Sequence, residues 1–431
     1  MKKYRLCLIQ PKDPRNKHII TNKSHPLSLL ILANLAKENY SVRIINEQFD
    51  KINFKKYDLV GITLSTPIAR RAYSISDRFR KLGVPVILGG PHVSVLPDEA
   101  SLHADSIVVG EADRLWKKVL DDFEKKALKK RYIGSFVDLD ETPVIRRYFN
   151  KNNYINYHIQ TSRGCPHKCT FCISKNLFGS KIRHRKVSDV IDEIRQIKKR
   201  QRYFFFITFY DDNLFFDRRY VLHLVKELKR LKVKWGAFAQ VSLGYDKELL
   251  KKLYESGCLF LTLGFESIVH ESLKEAKKDI INNIDYYKRS ISNIKSNNIL
   301  CFGLFIFGFD GDTKRSCKDT LKFCLQSDLD HCFFLVLIPY PGSDIYKSMK
   351  RENRILDEDW YNYNDDVVFR PKNMAAYELK AIVKYCDNMY NSFFNIFKRL
   401  KSSTISWRYK LFFLIFLIQN RIRIKYRFSA R

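Results

Sequence analysis

Two runs of alternating strand and helix patterns, separated by a polar, basic stretch, set what this chain can fold into. In the first run, short continuous apolar segments at residues 4–10, 42–46, 58–64, 84–88 and 105–109 alternate with helical spacing at 27–36 and 67–82. Strands that are apolar on both faces belong to a parallel sheet covered by helices on both sides. Residues 1–130 are therefore expected to form a Rossmann-like, flavodoxin-like parallel sheet domain. Ser65 or Thr66 is the expected cap of the second helix, with Pro67 in its first turn. Small residues gather where strands end, at Ser65-Thr66, Gly89-Gly90 and Gly110-Glu111. Ligands of such folds bind at those strand ends. His92 reads as a loop histidine.

The stretch 131–153 reads as a linker. The second run places strands at 157–161, 204–210, 233–239, 259–264, 301–307 and 333–338, with helices between them. Six βα units predict a partial (β/α)6 TIM-type barrel over residues 154–345, with reactive groups at the carboxyl ends of its strands. Residues 346–431 read as a helical, basic extension. Its apolar run Leu411–Ile418, flanked by Lys410 and Arg421, is far short of the ~20 residues that span a bilayer. Such a run packs as a core helix on the barrel or lies on an anionic membrane surface.

Just after the first strand of the second run, Cys165, Cys169 and Cys172 form a C-x3-C-x2-C array. Three thiolates so close in sequence can wrap one small metal centre. Structural zinc and ferredoxin-type clusters both take four protein ligands, and the next cysteine is Cys258. A three-ligand centre keeps an open position for a reactant. A zinc knuckle is the alternative. The stretch Thr161 to Cys172, with Phe171 before the last cysteine, resembles the cluster loop of the radical SAM enzymes. That resemblance implies a [4Fe–4S] cluster on the three cysteines, whose fourth iron chelates S-adenosylmethionine. Reductive cleavage then gives a 5′-deoxyadenosyl radical. Tyr210, Asp211 and Asp212, after the second strand, match the position that contacts the methionine ammonium. Glu266 and Ser267, after the fourth, match the ribose side, where a carboxylate can accept both hydroxyls. Phe307–Thr313 resembles the loop on the adenine side. Residues 1–125 resemble the cobalamin-binding domain fused to many radical SAM enzymes, through Tyr57–Thr63, Gly89-Gly-Pro-His92 and Val109-Gly-Glu111. Ser65, Thr66, Gly89 and Gly90 are the expected cobalamin contacts. No D-x-H-x-x-G motif is present, so cobalt is expected to lack a histidine from this domain. The catalytic residue that completes the reaction is not legible.

The resemblance implies radical chemistry on an unactivated carbon, with cobalamin-dependent C-methylation first and cyclisation or rearrangement second. A tRNA methylthiotransferase fits the net charge of +32. That family carries three further cysteines in its first domain, where this chain has only Cys7. Basic residues are dispersed instead of forming a stripe, which argues against nucleic acid. The expected partners are a small-molecule or lipid-like substrate and a reductant such as flavodoxin or ferredoxin. Met1-Lys-Lys-Tyr-Arg leads straight into a strand-like run, and the ten cysteines form no disulfide framework, so a reducing cytoplasm is expected, with the tail touching a membrane as an option. Arg183 and Arg185 read as a solvated helix entry, and the remaining cysteines as small buried apolar groups.

Overall fold

The computed structural model describes residues 3–13, 26–141, 156–201, 205–278 and 283–427. The first sheet contains β1 (Tyr4–Gln10), β2 (Tyr40–Asn46), β3 (Leu59–Thr63), β4 (Val86–Gly89), β5 (Ser106–Val109) and β6 (Arg131–Ile133). Its order is β2-β1-β3-β4-β5-β6, and every pair is parallel. The order reverses between β1 and β3, which opens a crevice at the carboxyl ends of the strands. Both faces are covered. Cys7 and Ile9 of β1 pack with Ile75 and Phe79 on one side, and Leu6 and Leu8 pack with Trp116 and Val119 on the other. That two-sided burial is why these strands read as continuous apolar runs.

Three local expectations are corrected. β6 lies inside the stretch read as a linker; it is a three-residue edge strand with only Tyr132 turned inward, too short and polar to show a pattern. Ser65 caps with its backbone alone, ahead of a 3-10 turn, Thr66–Ile68, and the helix Ala69–Lys81. His92 is no solvated loop residue. It is fully buried on a short helix, Pro91–Val95, with Nδ1 3.1 Å from Thr66 Oγ1 and Nε2 3.3 Å from Glu99 Oε1.

The second sheet begins with β7 (Asn156–Ile159). A two-residue antiparallel ribbon follows, β8 (Ser162–Arg163) against β9 (Arg183–His184). Then come β10 (Phe206–Phe209), β11 (Lys234–Ala239), β12 (Cys258–Glu266), β13 (Leu300–Phe307) and β14 (His331–Val336). The order β14-β13-β12-β11-β10-β7 is parallel throughout and curls into a partial barrel. Its outer face, with Ile159, Ile207, Trp235 and Leu261, is buried under amphipathic helices such as Val187–Arg200 and Arg218–Leu231. The inner face carries Phe260, Phe302 and Phe333. Three helices end the chain, Ala376–Tyr390, Phe393–Ser402 and Trp407–Arg427. The last one lays Phe413 and Phe416 on Phe302, at 6.2 and 5.4 Å between ring centroids, and buries Leu417 completely. Among the described residues, no helix is long and apolar enough to cross a membrane.

Candidate active site

The three cysteines sit on a loop that leaves β7 and hangs from the β8–β9 ribbon. Asp211, just past β10, ties down its entry. One carboxylate oxygen accepts from Thr161 N at 2.9 Å, Thr161 Oγ1 at 2.9 Å, Ser162 Oγ at 2.7 Å and also Ser162 N. Burial pushes Asp211 up to about 6, with these donors pulling it back. Asp212 accepts from Gly164 N at 3.2 Å. Gly164 has a φ of +99°, and a Cβ there would lie 2.2 Å from Lys181 O, so the ribbon closes only around glycine. The far side of the loop is pinned by Thr170, which donates to Ala276 O at 3.2 Å and Glu275 O at 2.9 Å and accepts from Ile345 N at 3.0 Å.

Cys165 and Cys169 are half-buried and Cys172 is exposed. Burial raises the Cys165 thiol and pushes Cys169 up to about 11, so both keep their protons until a metal replaces them. Among the described residues, no three His, Cys, Asp or Glu side chains gather as tightly as the ligands of a single ion. A four-iron cluster makes a looser demand, because each thiolate takes a different iron. Three thiols on one pinned, partly open loop fit that group.

Glu266 closes β12 in a left-handed conformation, φ +63°, which is costly for any residue with a Cβ. Its buried carboxylate accepts from Lys278 Nζ at 3.0 Å. A Cβ on Gly264 would stand 2.5 Å from Glu266 Oε1, so glycine there makes room for the carboxylate. Although burial works against its charge, the Lys278 ammonium stays charged, held chiefly by Glu266. Ser267 accepts from Val269 N at 3.0 Å, and Phe171 meets Phe309 edge-on at 6.0 Å. The Phe307–Thr313 loop is largely occupied with itself. Asp312 accepts from Gly308 N at 2.8 Å, Phe309 N at 3.1 Å and Ser272 Oγ at 2.6 Å, while Thr313 caps the helix Lys314–Gln326. Lys278 escaped sequence reasoning, since one lysine in a lysine-rich chain carries no signal.

A cavity of about 570 Å³ opens between the two sheets. The first sheet contributes Ser65, Gly89, Gly90 and Glu111; the barrel side contributes His158, Gln160 and Tyr210. Tyr210 is thus turned toward the first sheet. Its ring, 53% exposed, stacks on His158 at 4.6 Å and meets Phe238 edge-on at 5.4 Å. Thr66 is spent on His92. The two glycines differ. Gly90 has φ +109°, and a Cβ there would strike Leu64 O at 2.8 Å, whereas a Cβ on Gly89 meets nothing closer than 3.8 Å. Gly90 is required by the backbone, and Gly89 is the one that leaves the cavity wall bare.

Charge pairs join the two sheets beside this cavity. Arg163 of β8 donates to Asp113 at 2.9 and 3.1 Å, and Arg183 of β9 grips Glu111 at 2.5 and 2.9 Å. Arg185 pairs with the fully buried Glu193 at 2.7 Å. Both arginines expected in solvent are therefore ion-pair partners, Arg185 buried and Arg183 nearly so. Cys258, Cys301, Cys317, Cys324 and Cys332 are buried, and burial raises the Cys258 and Cys317 thiols far above reactivity at neutral pH.

A curled parallel sheet with a three-cysteine loop at its carboxyl edge, facing a doubly covered parallel sheet across a ligand-sized cavity, is the architecture of a radical S-adenosylmethionine enzyme fused to a B12-type domain. Residues 159–324 match the Radical SAM superfamily, and residues 19–120 match the B12 binding domain. The chain is 31% identical over 426 residues to bacteriochlorophyllide d C-12(1)-methyltransferase of Chlorobaculum tepidum, covering 95% of this chain and 92% of that one. It is 32% identical over 358 residues to the C-8(2)-methyltransferase of the same organism, covering 78% and 79%. Hopanoid C-2 methylase of Rhodopseudomonas palustris is 27% identical over 389 residues, covering 84% and 73%. The fold matches OxsB with aqua-cobalamin and S-adenosylmethionine bound, at a TM-score of 0.72 and 15% identity over 98% of this chain and 72% of that one. This chain belongs to the cobalamin-binding radical SAM enzymes, and its cofactors are a [4Fe–4S] cluster, S-adenosylmethionine and cobalamin.

Proposed function

We propose that the chain transfers a methyl group to an unactivated carbon of a large, mainly apolar small molecule. The observation that carries this reading is the single cavity on which the strand ends of the first sheet and the mouth of the barrel both open. Cys165, Cys169 and Cys172 would hold the cluster. Glu266, Ser267, Asp212 and Phe171 border S-adenosylmethionine in this reading, with Lys278 neutralising Glu266 and the thiolates. Ser65, Gly89 and Gly90 lie where cobalamin enters, and His92 beside them is held on both nitrogens and so is not free to reach cobalt. When bound, the cluster supplies the electron that cleaves S-adenosylmethionine, and cobalamin supplies the transferable methyl group. Asp211 holds the cysteine loop in register, and Tyr210 presents its ring to whatever fills the cavity.

The relatives named above act on bacteriochlorophyllide d and hopanoids, which share a polycyclic, apolar skeleton, and that is the substrate class proposed here. Flavodoxin or ferredoxin, both acidic electron carriers, complement a net charge of +32. The outer side of the last two helices exposes Phe393, Phe394, Phe397, Leu411, Phe412 and Ile415 on a basic segment, which suits contact with an anionic membrane that stores such substrates.

Anaerobic reconstitution tests the reading. The chain should bind about four irons, and should keep hydroxocobalamin through gel filtration. Metabolites of a deletion strain and its parent, grown on trideuteromethyl methionine, should differ by a labelled methyl group on carbon. Replacing Cys165, Cys169 and Cys172 together by Ala should abolish the cluster and cleavage of S-adenosylmethionine. Full activity in that variant would end the radical reading, and a product without an added methyl group would turn it to cyclisation.

A further inference from the structure

One polar side chain in the cavity wall is held in a fixed direction yet has no role in the chemistry above. β7 buries Tyr157 and Ile159 under the outer helices, so Asn156, His158 and Gln160 share its other face. The first two are engaged with their neighbours. Asn156 Oδ1 accepts from Thr208 Oγ1 at 3.0 Å, its Nδ2 stands 3.3 Å from His158 Nε2, and the His158 ring stacks on Tyr210 at 4.6 Å. Gln160, just past the strand end, is held differently. Its backbone oxygen accepts from Arg185 at 2.9 Å, and its side-chain oxygen accepts from Arg163 Nε at 3.0 Å. An arginine can only donate, so the amide atom turned to Arg163 is the oxygen and the NH2 group is turned away. That NH2 group makes no hydrogen bond among the described residues, and it is not sealed inside the protein. Gln160 lines the cavity between the two sheets.

The rest of the Arg163 fork fixes where this donor points. Nη1 and Nη2 donate to Asp113 at 2.9 and 3.1 Å, and Asp113, which follows β5 of the first sheet, lines the same cavity. Arg163 is 6% exposed, so the fork has no room to swing. A barrel residue is thereby tied to the side of the cavity where the strand ends of the first sheet lie. A ligand that covers the NH2 group strips it of water and must offer an acceptor in return. The corrin ring of cobalamin is apolar over its faces and carries primary amides around its rim. Their carbonyl oxygens are acceptors of the kind that a held NH2 group takes.

We infer that Gln160 donates its amide hydrogen to the carbonyl oxygen of a corrin side-chain amide, so that the barrel as well as the first sheet orients cobalamin. This rests on the reading of the cavity as the place where cobalamin enters, and it makes Gln160 a positioning residue for the cofactor.

The test uses the full chain with its cluster reconstituted and without cobalamin, under anaerobic conditions. Hydroxocobalamin is titrated in and followed by its visible absorbance. Gln160→Glu keeps an oxygen for Arg163 and removes the NH2 donor, and Gln160→Met keeps the length and removes both. Each should bind hydroxocobalamin about fivefold more weakly than the parent, the scale of one lost neutral hydrogen bond, with iron content and urea midpoint unchanged. Aquocobinamide, which keeps the corrin amides and lacks the nucleotide tail, should show the same ratio. Parent-like affinity in either variant overturns the inference. So does a penalty that vanishes with aquocobinamide, which would place the contact on the tail. Weakened binding that comes with loss of iron or of stability in both variants would make Gln160 structural and overturn it too. Gly89→Val separates this inference from the reading beneath it. Release of cobalamin by Gly89→Val, with parent-like Gln160 variants, sinks the inference alone. Retention by Gly89→Val and by both Gln160 variants would take cobalamin out of this cavity altogether.

Discussion

Glu266 is the residue where backbone strain and charge coincide. Its left-handed φ aims a buried carboxylate at Lys278, beside the cysteine loop. Glu266→Gln keeps the shape and removes the charge. It is expected to weaken S-adenosylmethionine binding by about 1–3 kcal/mol, the range for a hydrogen bond to a charged group, with iron content unchanged. Isothermal titration and iron analysis read the two effects separately; loss of iron instead would make Glu266 structural. The glycine pair makes a second prediction. A methyl group at Gly90 meets Leu64 O at 2.8 Å in a backbone region that disfavours L-residues. Gly90→Ala should lower stability by about 1–3 kcal/mol, seen as a shifted urea midpoint. Gly89→Val has room for its Cβ, so it should fold normally yet fail to keep cobalamin through gel filtration. Equal cobalamin retention in Gly89→Val and the parent would remove Gly89 from the site.

Among the elements, the β8–β9 ribbon matters out of proportion to its four residues. It carries the cysteine loop on one side and, through Arg163 and Arg183, grips Asp113 and Glu111 of the first sheet on the other. The Glu111 side chain is 2% exposed, so its pairing happens away from water. Removing one partner of a buried pair leaves an uncompensated charge and costs about 3–5 kcal/mol. Glu111→Gln should therefore lower the unfolding midpoint strongly, and Arg183→Met combined with Glu111→Leu should recover much of the loss. A double variant no more stable than the single one would mean that the pair contributes more than charge balance. Arg183 looked like a solvated helix entry because its partner is 72 residues away in the chain, and local sequence holds no trace of that pairing.

For the whole molecule, the last helix has two faces with different fates. Phe413 and Leu417 close the inner side of the barrel, while Leu411, Phe412 and Ile415 face outward beside Phe394 and Phe397 of the preceding helix. After Asp387 the chain has ten basic residues and no acidic one. The protein is expected to sediment with vesicles containing phosphatidylglycerol and to be released at 1 M salt, where the screening length falls to about 3 Å. Phe394→Glu with Phe397→Glu should stay in the supernatant at low salt while keeping cobalamin and iron. Equal sedimentation of that variant and the parent would sink the membrane contact.

The alternation of apolar strands and amphipathic helices was legible because two-sided burial leaves continuous apolar runs, and a covered helix leaves a stripe every three to four residues. Both sheets, their parallel sense and the placement of loops at their carboxyl ends follow from those local patterns, as does the spacing of Cys165, Cys169 and Cys172. What local pattern could not hold was any pairing across sequence distance. The turn of Tyr210 toward the first sheet, the burial of His92 between Thr66 and Glu99, and the pairing of Lys278 with Glu266 were decided by tertiary structure. Each is a polar or aromatic group whose energy depends on the partner that folding brings to it, because a charge or a ring is stabilised by its neighbour in space and not by its neighbour in the chain.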